Sequence, residues 1–484
     1  MLEVIYQRES INGDNMSTDL FNKIQRTFGE YAVDKRLAYQ LDLTKLPRYV
    51  SEYLISKFIY ENPCNWQDRL RSFIRENYYE PEQKELVKHN LSKDGKLQLI
   101  DELKIYVDLE SNNHIGVIES LNIIALIPQD IADRYKQTMI TGLWGLIKLQ
   151  YTQMDNNHTI LITDFEPFQA PDMDVNILNE ARKNFALDEW LDVIINTIGL
   201  DHTQYNFNQK LLITSRLVPL IENNVNIMEF GPRATGKTFI YRNASNYVRL
   251  ISGGNITSAT LFYNLKTRMP GELAMKDCIV FDEVSKVKFN NPDEMMGKLK
   301  DYMESGHYEK GDKKVTSDSS LVFMGNVQVE KRDTAYIPVE DLTYVLPEVM
   351  RDSAFIDRIH ALLPGWLLPK IQQSKYHLSK GYGIASDYFA EYMHVMRKDT
   401  LSVKLSNEIE FSENFTIRDE KAVKRVLSGL VKLLFPHGSY DNSELKKLTD
   451  YTVNLRQYVR DWLHKIAPGE FMLERLYVYL KDIR

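Results

Sequence analysis

The sequence predicts an α/β fold built around a phosphate-binding loop, and three observations carry that reading. Residues 231–238 read GPRATGKT between an apolar run and a helical segment. A second apolar run, Cys278–Phe281, ends in Asp282 and Glu283. A third, Leu321–Met324, ends in Gly325 and Asn326. Each run reads as a buried strand that delivers chemistry at its C-terminal end.

The chain has 484 residues, enough for about three domains. Asp and Glu number 67 against 60 Lys and Arg, a net charge of −7. With 43% apolar and 26% charged residues the composition is that of a soluble protein with sizeable cores, not of a low-complexity or collagen-like chain. Any contact with nucleic acid must therefore come from local basic patches. Cys64 and Cys278 are the only cysteines, too few for a disulfide framework or a four-cysteine zinc site. Cys278 reads as a buried core thiol. MLEVIYQRES has no apolar core of a signal peptide, and no run approaches the roughly 20 apolar residues of a membrane span. The expectation is a cytoplasmic protein with no membrane partner.

Four segments are expected. Residues 1–95 form an N-terminal helical region, opening with a polar lead-in to about Val33 that contains a second methionine, Met16. Leu46, Val50, Tyr53, Leu54 and Phe58 recur at spacings of three and four, and Trp66, Leu70 and Phe73 continue after Pro63, so helices are predicted there. Residues 96–170 carry short β-branched and aromatic runs broken by Gly, Asn and Asp, which predicts a small β-domain, OB-like in its specific form, or a plain structural β-domain. After a linker, APDMD, residues 171–384 form the nucleotide-binding core. Its lead-in helices are DEWLDVIINTIGL, with Asp188 as cap, and NQKLLITSRLVPLIENN. Residues 385–484 form a helical lid and C-terminal end.

The loop GPRATGKT fits G-x-x-x-x-G-K-[ST]. Gly231 and Gly236 let the backbone curl through Pro232, Arg233, Ala234 and Thr235 so that its N–H groups point at phosphate oxygens, aided by a helix N-terminus. Lys237 would contact the β- and γ-phosphates of ATP, and Thr238 would ligate Mg²⁺. Asp282 would hold the Mg²⁺ shell, while Glu283 would orient and deprotonate the attacking water. Asn326 suits a sensor of the γ-phosphate; a turn asparagine would look the same. Arg358 lies at a helix–strand junction in SAFIDRIHALLPGW and is suited to reach a neighbouring subunit's γ-phosphate, with Arg351 as competitor. Arg418, at the start of an amphipathic helix, is where a lid arginine would close over the nucleotide of its own subunit. Lys421 and Arg425 on that helix read equally well as solvated charges.

Taken together, GPRATGKT, RLISGGNITSATLFYN, IVFDEVSKVKF, LKDYMESGHYEKG, LVFMGN, DSAFIDRIHALLPGW and RDEKAVKRVLSGLVKLLFPHG resemble the BREX phage-defence Lon-like AAA+ ATPase (BrxL) family from about Leu43 to the end of the chain. The resemblance implies an AAA+ core, a ring of six or more subunits, hexameric or stacked, that encloses and moves on double-stranded DNA, and a role in bacterial antiphage defence with other defence proteins as partners. Family members usually continue into a Lon-like C-terminal domain, whereas this chain stops at GEFMLERLYVYLKDIR; no Ser–Lys protease dyad is assigned, and a natural short form and a shortened piece both fit. Extended to replicative-helicase AAA+ modules, the likeness gives Ser305–Ser319 meaning as a hairpin with Lys310, Lys313 and Lys314 near its tip. In a ring such a hairpin would project into the pore and touch DNA phosphates; a solvated basic turn is the alternative. ITSATLFYN would be a second insertion facing the pore. A Lon-type protein unfoldase, for which Tyr308 leaves some room, and a nucleotide-gated DNA scaffold are the competing functions.

Overall fold

The computed structural model describes residues 19–481, apart from 41–42, 44, 109–111, 140–141, 155–156, 169–173, 265–268, 311–312, 333–334 and 372–376. The chain divides into two compact units, Arg36–Met173 and the remainder. Residues 36–95 thus share a unit with the β-domain, and residues 385–484 share one with the nucleotide-binding segment. The linker APDMD lies outside the described residues except for Asp174, which caps the next helix by accepting from the Asn176 N–H.

In the smaller unit, helices α1 (Arg48–Glu61), α2 (Trp66–Asn77) and α3 (Lys84–Asp94) precede a closed barrel. The predicted periodicity is what packs: Val50, Leu54, Phe58 and Leu70 are buried together. Helix α3 stops at Gly95, whose φ of 74° supplies the left-handed C-cap. The barrel strands are β1 (Lys96–Asp108), β2 (Asn113–Ile118), β3 (Ile123–Ile127), β4 (Leu143–Met154) and β5 (Asn157–Pro167). They close in the order β1-β2-β3-β5-β4. All neighbours are antiparallel except β3 and β5, which run parallel at Leu126 and Leu161. Leu99, Leu103, Ile118, Ile147, Ile162 and Phe165 fill the interior, so the barrel is a packed core.

The larger unit corrects the reading of a polar lead-in. Residues 19–28 are helical and bury Leu20, Ile24 and Phe28, one face at a spacing of four. Ala32–Asp34 then pairs antiparallel with Tyr382–Ile384. The first 18 residues lie outside the described residues.

The central sheet holds β6 (Asn226–Gly231), β7 (Val248–Ile256), β8 (Cys278–Phe289), β11 (Ser320–Asn326) and β12 (Ala361–Pro364), while β9 (His307–Lys310) and β10 (Lys313–Thr316) form a separate hairpin. The sheet order is β12-β6-β11-β8-β7 and every pair is parallel. Strands β6 and β12 are buried along their whole length, as a sheet covered on both faces requires. Phe281 of β8 stacks on Phe323 of β11 with centroids 5.0 Å apart. Because all five strands point the same way, Gly231, Asp282 and Asn326 reach one edge.

Around the sheet stand α4 (Leu187–Thr197), α5 (Phe207–Ser215), α6 (Lys237–Asn243), α7 (Pro292–Ser305), α8 (Ile417–Leu434) and α9 (Asn442–Ile466). Ala186, not Asp188, is the N-cap of α4; Asp188 sits inside the first turn, and the Glu189 carboxylate accepts the Ala186 N–H. Helices α5, α8 and α9 begin with reciprocal capping boxes at Asn206/Gln209, Thr416/Asp419 and Asp441/Glu444. Among the described residues no helix is long and apolar enough to cross a membrane.

Candidate functional site

The loop from Gly231 to Thr238 leaves β6 and enters α6. Ala234 and Gly236 take positive φ values of 65° and 77°, a backbone curl that turns successive N–H groups to one side. Gly231 has to be glycine for a packing reason as well. A Cβ there would lie 2.6 Å from the Gly365 carbonyl carbon just beyond β12, where nothing can give way. On its other side the loop is tied down by the Ile371 N–H, which donates to the Ala234 carbonyl at 2.7 Å.

Lys237 is buried, and its Nζ donates to the carbonyls of Gly231 at 3.0 Å and Pro232 at 2.9 Å. Asn326 Oδ1 lies 3.4 Å from the same ammonium. Burial pushes the Lys237 pKa down to about 8; Glu229 and Asp282 oppose that shift and Arg216 adds to it. A desolvated cation ringed by neutral oxygens gains most from an incoming anion. Thr238 Oγ1 donates to Asp282 Oδ2 at 2.8 Å, and Asp282 Oδ1 accepts the Glu283 N–H at 2.9 Å. Glu283 has a φ of 48° at an irregularity where β8 loses register with β7 between Asp282 and Val287. Its carboxylate is paired with Lys286 Nζ at 2.7 Å, and that hydrogen bond holds it below the usual carboxylate range. Lys237, Thr238, Asp282, Glu283, Lys286 and Asn326, with Arg233, line a cleft of about 510 Å³. The curled loop, the desolvated Lys237 and the Thr238–Asp282 pair suit a nucleotide triphosphate with a hard divalent cation. Cys278 is fully buried, and burial pushes its thiol pKa up.

Two residues beneath the cradle carry no sequence motif. Arg216, just after α5, forks onto Glu229 of β6, with Nε to Oε2 at 2.9 Å and Nη2 to Oε1 at 2.6 Å. Its Nη1 donates to the Thr235 carbonyl at 3.1 Å. Both side chains are almost wholly inaccessible, at 0% and 1%, so the pair fixes the loop from inside. The signal that could have found them is Glu229 itself, since a carboxylate in a fully buried strand needs a partner.

Arg358 and Arg418 come together elsewhere. Asn226, the first residue of β6, donates from Nδ2 to the Arg358 carbonyl at 3.1 Å. Gly231 is five residues further on, about 16 Å along the strand. Arg418 Nε donates to Glu304 Oε2 at 2.9 Å and its Nη1 to Asp357 Oδ2 at 2.8 Å. Arg358 Nε lies 3.4 Å from the same Glu304 oxygen. Neither arginine lines the cleft. The expected closure of Arg418 over its own chain's cradle is therefore corrected: α8 begins at the opposite edge of the sheet. Arg351, the competitor to Arg358, is occupied, donating from Nε to the Leu346 carbonyl at 2.9 Å and lying over Tyr344. Lys421 and Arg425 are not merely solvated, since they donate to the carbonyls of Glu304 and Asn224.

The hairpin after α7 pairs His307–Lys310 with Lys313–Thr316. Lys314 is exposed, while the side chains of Lys310 and Lys313 lie outside the described residues. Tyr308 is buried and donates its hydroxyl to the Phe262 carbonyl at 2.8 Å. That ties the hairpin to the segment read as a second insertion, which folds as a short helix, Ser258–Leu261, and a small antiparallel pair, Tyr263–Asn264 with Met269–Pro270.

Comparison with known proteins agrees with this arrangement. The family described as "Lon-like protease BrxL-like, ATPase domain" matches residues 160–476, and "BREX system Lon protease-like protein BrxL N-terminal" matches residues 26–151. The chain is 31% identical over 461 residues to the Lon-like protease BrxL of Escherichia coli O9:H4 (strain HS), covering 94% of this chain and 66% of that protein. It is 32% identical over 468 residues to the Lon-like protease BrxL of Bacillus cereus (strain H3081.97), covering 94% and 68%. It spans about two thirds of the length of either relative. The chain belongs to the BrxL-like ATPase family, which is linked to BREX defence.

Proposed function

We propose that this chain is one subunit of an AAA+ ring that hydrolyses ATP at the interfaces between copies and moves on double-stranded DNA during bacterial antiphage defence. The observation that carries the reading is the split of the catalytic set. Cradle, carboxylates and Asn326 stand at one edge of the sheet, while Arg358 and Arg418 stand at the other, so one copy holds two half-sites and head-to-tail contact would complete each. The sheet order is in keeping with an AAA+ core, and the five-stranded barrel with its parallel third and fifth strands is in keeping with an OB-like domain.

In this reading Gly231–Thr238 holds the phosphates, with Lys237 neutralising the β- and γ-groups. Thr238 and Asp282 would hold Mg²⁺, which when bound would neutralise charge developing on the phosphates. Glu283, released from Lys286, takes the proton of the attacking water and Asn326 orients it. Arg358 and Arg418 of the adjoining copy stabilise the charge that spreads over the γ-phosphoryl oxygens. Lys310, Lys313 and Lys314 contact DNA phosphates without reading sequence. The burial of Tyr308 disfavours the unfoldase alternative, because the aromatic group that would grip a polypeptide is anchored inside the chain.

The test is the ATPase rate alone and with duplex DNA, single-stranded DNA or an unfolded protein. Duplex DNA should stimulate most. Replacing Lys310, Lys313 and Lys314 by alanine should abolish that stimulation and spare the basal rate. The log–log salt slope of DNA binding should fall by about 0.9 for each phosphate no longer neutralised. Stimulation by unfolded protein alone would favour the remodeller. In the same assay Lys237→Ala should lose nucleotide binding, whereas Glu283→Gln should bind and fail to hydrolyse.

A further inference from the structure

Glu304 sits in the last turn of α7, and three cations converge on it. Its Oε2 accepts from Arg418 Nε at 2.9 Å and lies 3.4 Å from Arg358 Nε, while its Oε1 lies 3.9 Å from Lys421 Nζ. The other carboxylate nearby, Asp357, is already committed. Its Oδ1 accepts from Arg456 Nη2 at 2.8 Å, and Arg456 is wholly buried and also pairs with Asp419. Asp357 belongs to the buried framework. Glu304 and Arg418 are each 39% exposed, so their pair faces water and can exchange partners. Arg358 Nη1 donates to the Ala354 carbonyl at 2.6 Å, whereas its buried Nε, 3.4 Å from Glu304, makes no hydrogen bond among the described residues. The cluster therefore carries more cations than its own carboxylates satisfy, and Glu304 is the replaceable anion within it.

The same carboxylate stands at the root of the lysine hairpin. Helix α7 ends at Gly306, with φ 71°, and β9 starts at the next residue. The hairpin then runs into β11, whose final residue is Asn326, 3.4 Å from Lys237 Nζ. One covalent stretch of chain thus joins the arginine cluster, the hairpin and the cradle.

We propose that Glu304 is an internal stand-in for a phosphate. It holds Arg358 and Arg418 until the nucleotide of an adjoining copy displaces it, and its release loosens the base of the hairpin. The step is an exchange of anions on two guanidinium groups, with no bond made or broken. Phosphate can win it because it offers more acceptor oxygens and more charge than a single carboxylate. The proposal rests on the reading that the two arginines act across a subunit boundary.

Glu304→Gln keeps the shape and removes the charge. Among the described residues Arg418 then keeps only Asp357 and Arg358 only the Ala354 carbonyl, which should lower the KM for ATP about fivefold, about 1 kcal/mol, and raise the basal rate toward the DNA-stimulated one. Glu304→Asp retains the charge and should restore the wild-type KM and DNA dependence, which a purely structural role would not predict for the shorter side chain. An unchanged KM and unchanged DNA stimulation in Glu304→Gln, alongside an inactive Arg358→Ala, would overturn the proposal and leave the trans reading standing. Normal hydrolysis by Arg358→Ala in an assembled protein would overturn both.

Discussion

The two ends of β6 handle charge in opposite ways. At the Gly231 end, Lys237 is desolvated and, among the described residues, its ammonium bonds neutral oxygens, two backbone carbonyls and the Asn326 amide. At the Asn226 end, arginines are matched against Glu304, Asp357 and Asp419 in a network that reaches the fully buried Arg456. One end leaves an anion to be supplied from outside; the other supplies carboxylates of its own, though fewer than its cations. The two ends show two ways for one chain to keep cations away from water. A buried lysine tolerates isolation by giving up its proton more readily, since its pKa is only about 8. Arginine cannot do that, so the chain provides carboxylates, and on the proposal above one of them, Glu304, has to be displaced.

The largest effect should come from breaking the ionic support of the cradle end. Arg216→Met leaves Glu229 charged and unpaired in a strand that is wholly buried, which should cost about 3–5 kcal/mol in chemical denaturation. Adding Glu229→Leu should recover most of that loss, because the double change removes both charges. A single variant within about 1 kcal/mol of wild type would mean that the pair does not hold the loop.

A smaller effect separates the two ends by pH. An incoming phosphate favours charged Lys237 and raises its pKa, so binding takes up a proton wherever the free cradle is neutral. Affinity should therefore fall as pH rises through about 8, roughly tenfold between pH 7.5 and 9 by the fraction of lysine left charged. Nucleotide affinity measured by calorimetry at the two pH values decides it, and a flat profile would place a fully charged lysine in the free cradle.

The cradle end is also the legible end in the sequence. GPRATGKT, Asp282–Glu283 and Asn326 are local signals, because each group is delivered by its own strand and parallel pairing must bring strand ends together. The helical face around Val50, Leu54 and Phe58 is legible for the same reason, periodicity being local. The arginine end depends on pairings between residues 61 and 114 positions apart, Arg418 with Asp357 and with Glu304, and no local pattern encodes which edge of the sheet α8 starts from. Arg216 and Glu229 fit no motif, although a glutamate among NVNIMEFG is the physical anomaly that marks them. Residues 19–28 read as polar because only one face in four positions, Leu20, Ile24 and Phe28, is buried.

The central claim is that each catalytic centre joins the Gly231 end of one copy to the Asn226 end of another. Mixing two inactive proteins tests it most directly. Arg358→Ala retains an intact cradle, and Lys237→Ala retains intact arginines, so mixed assemblies contain some interfaces with both halves intact. Neither variant should hydrolyse ATP alone, and the mixture should regain part of the wild-type rate once subunits exchange. No recovery, with exchange demonstrated by labelled subunits, would contradict it and return the arginines to a role within their own chain.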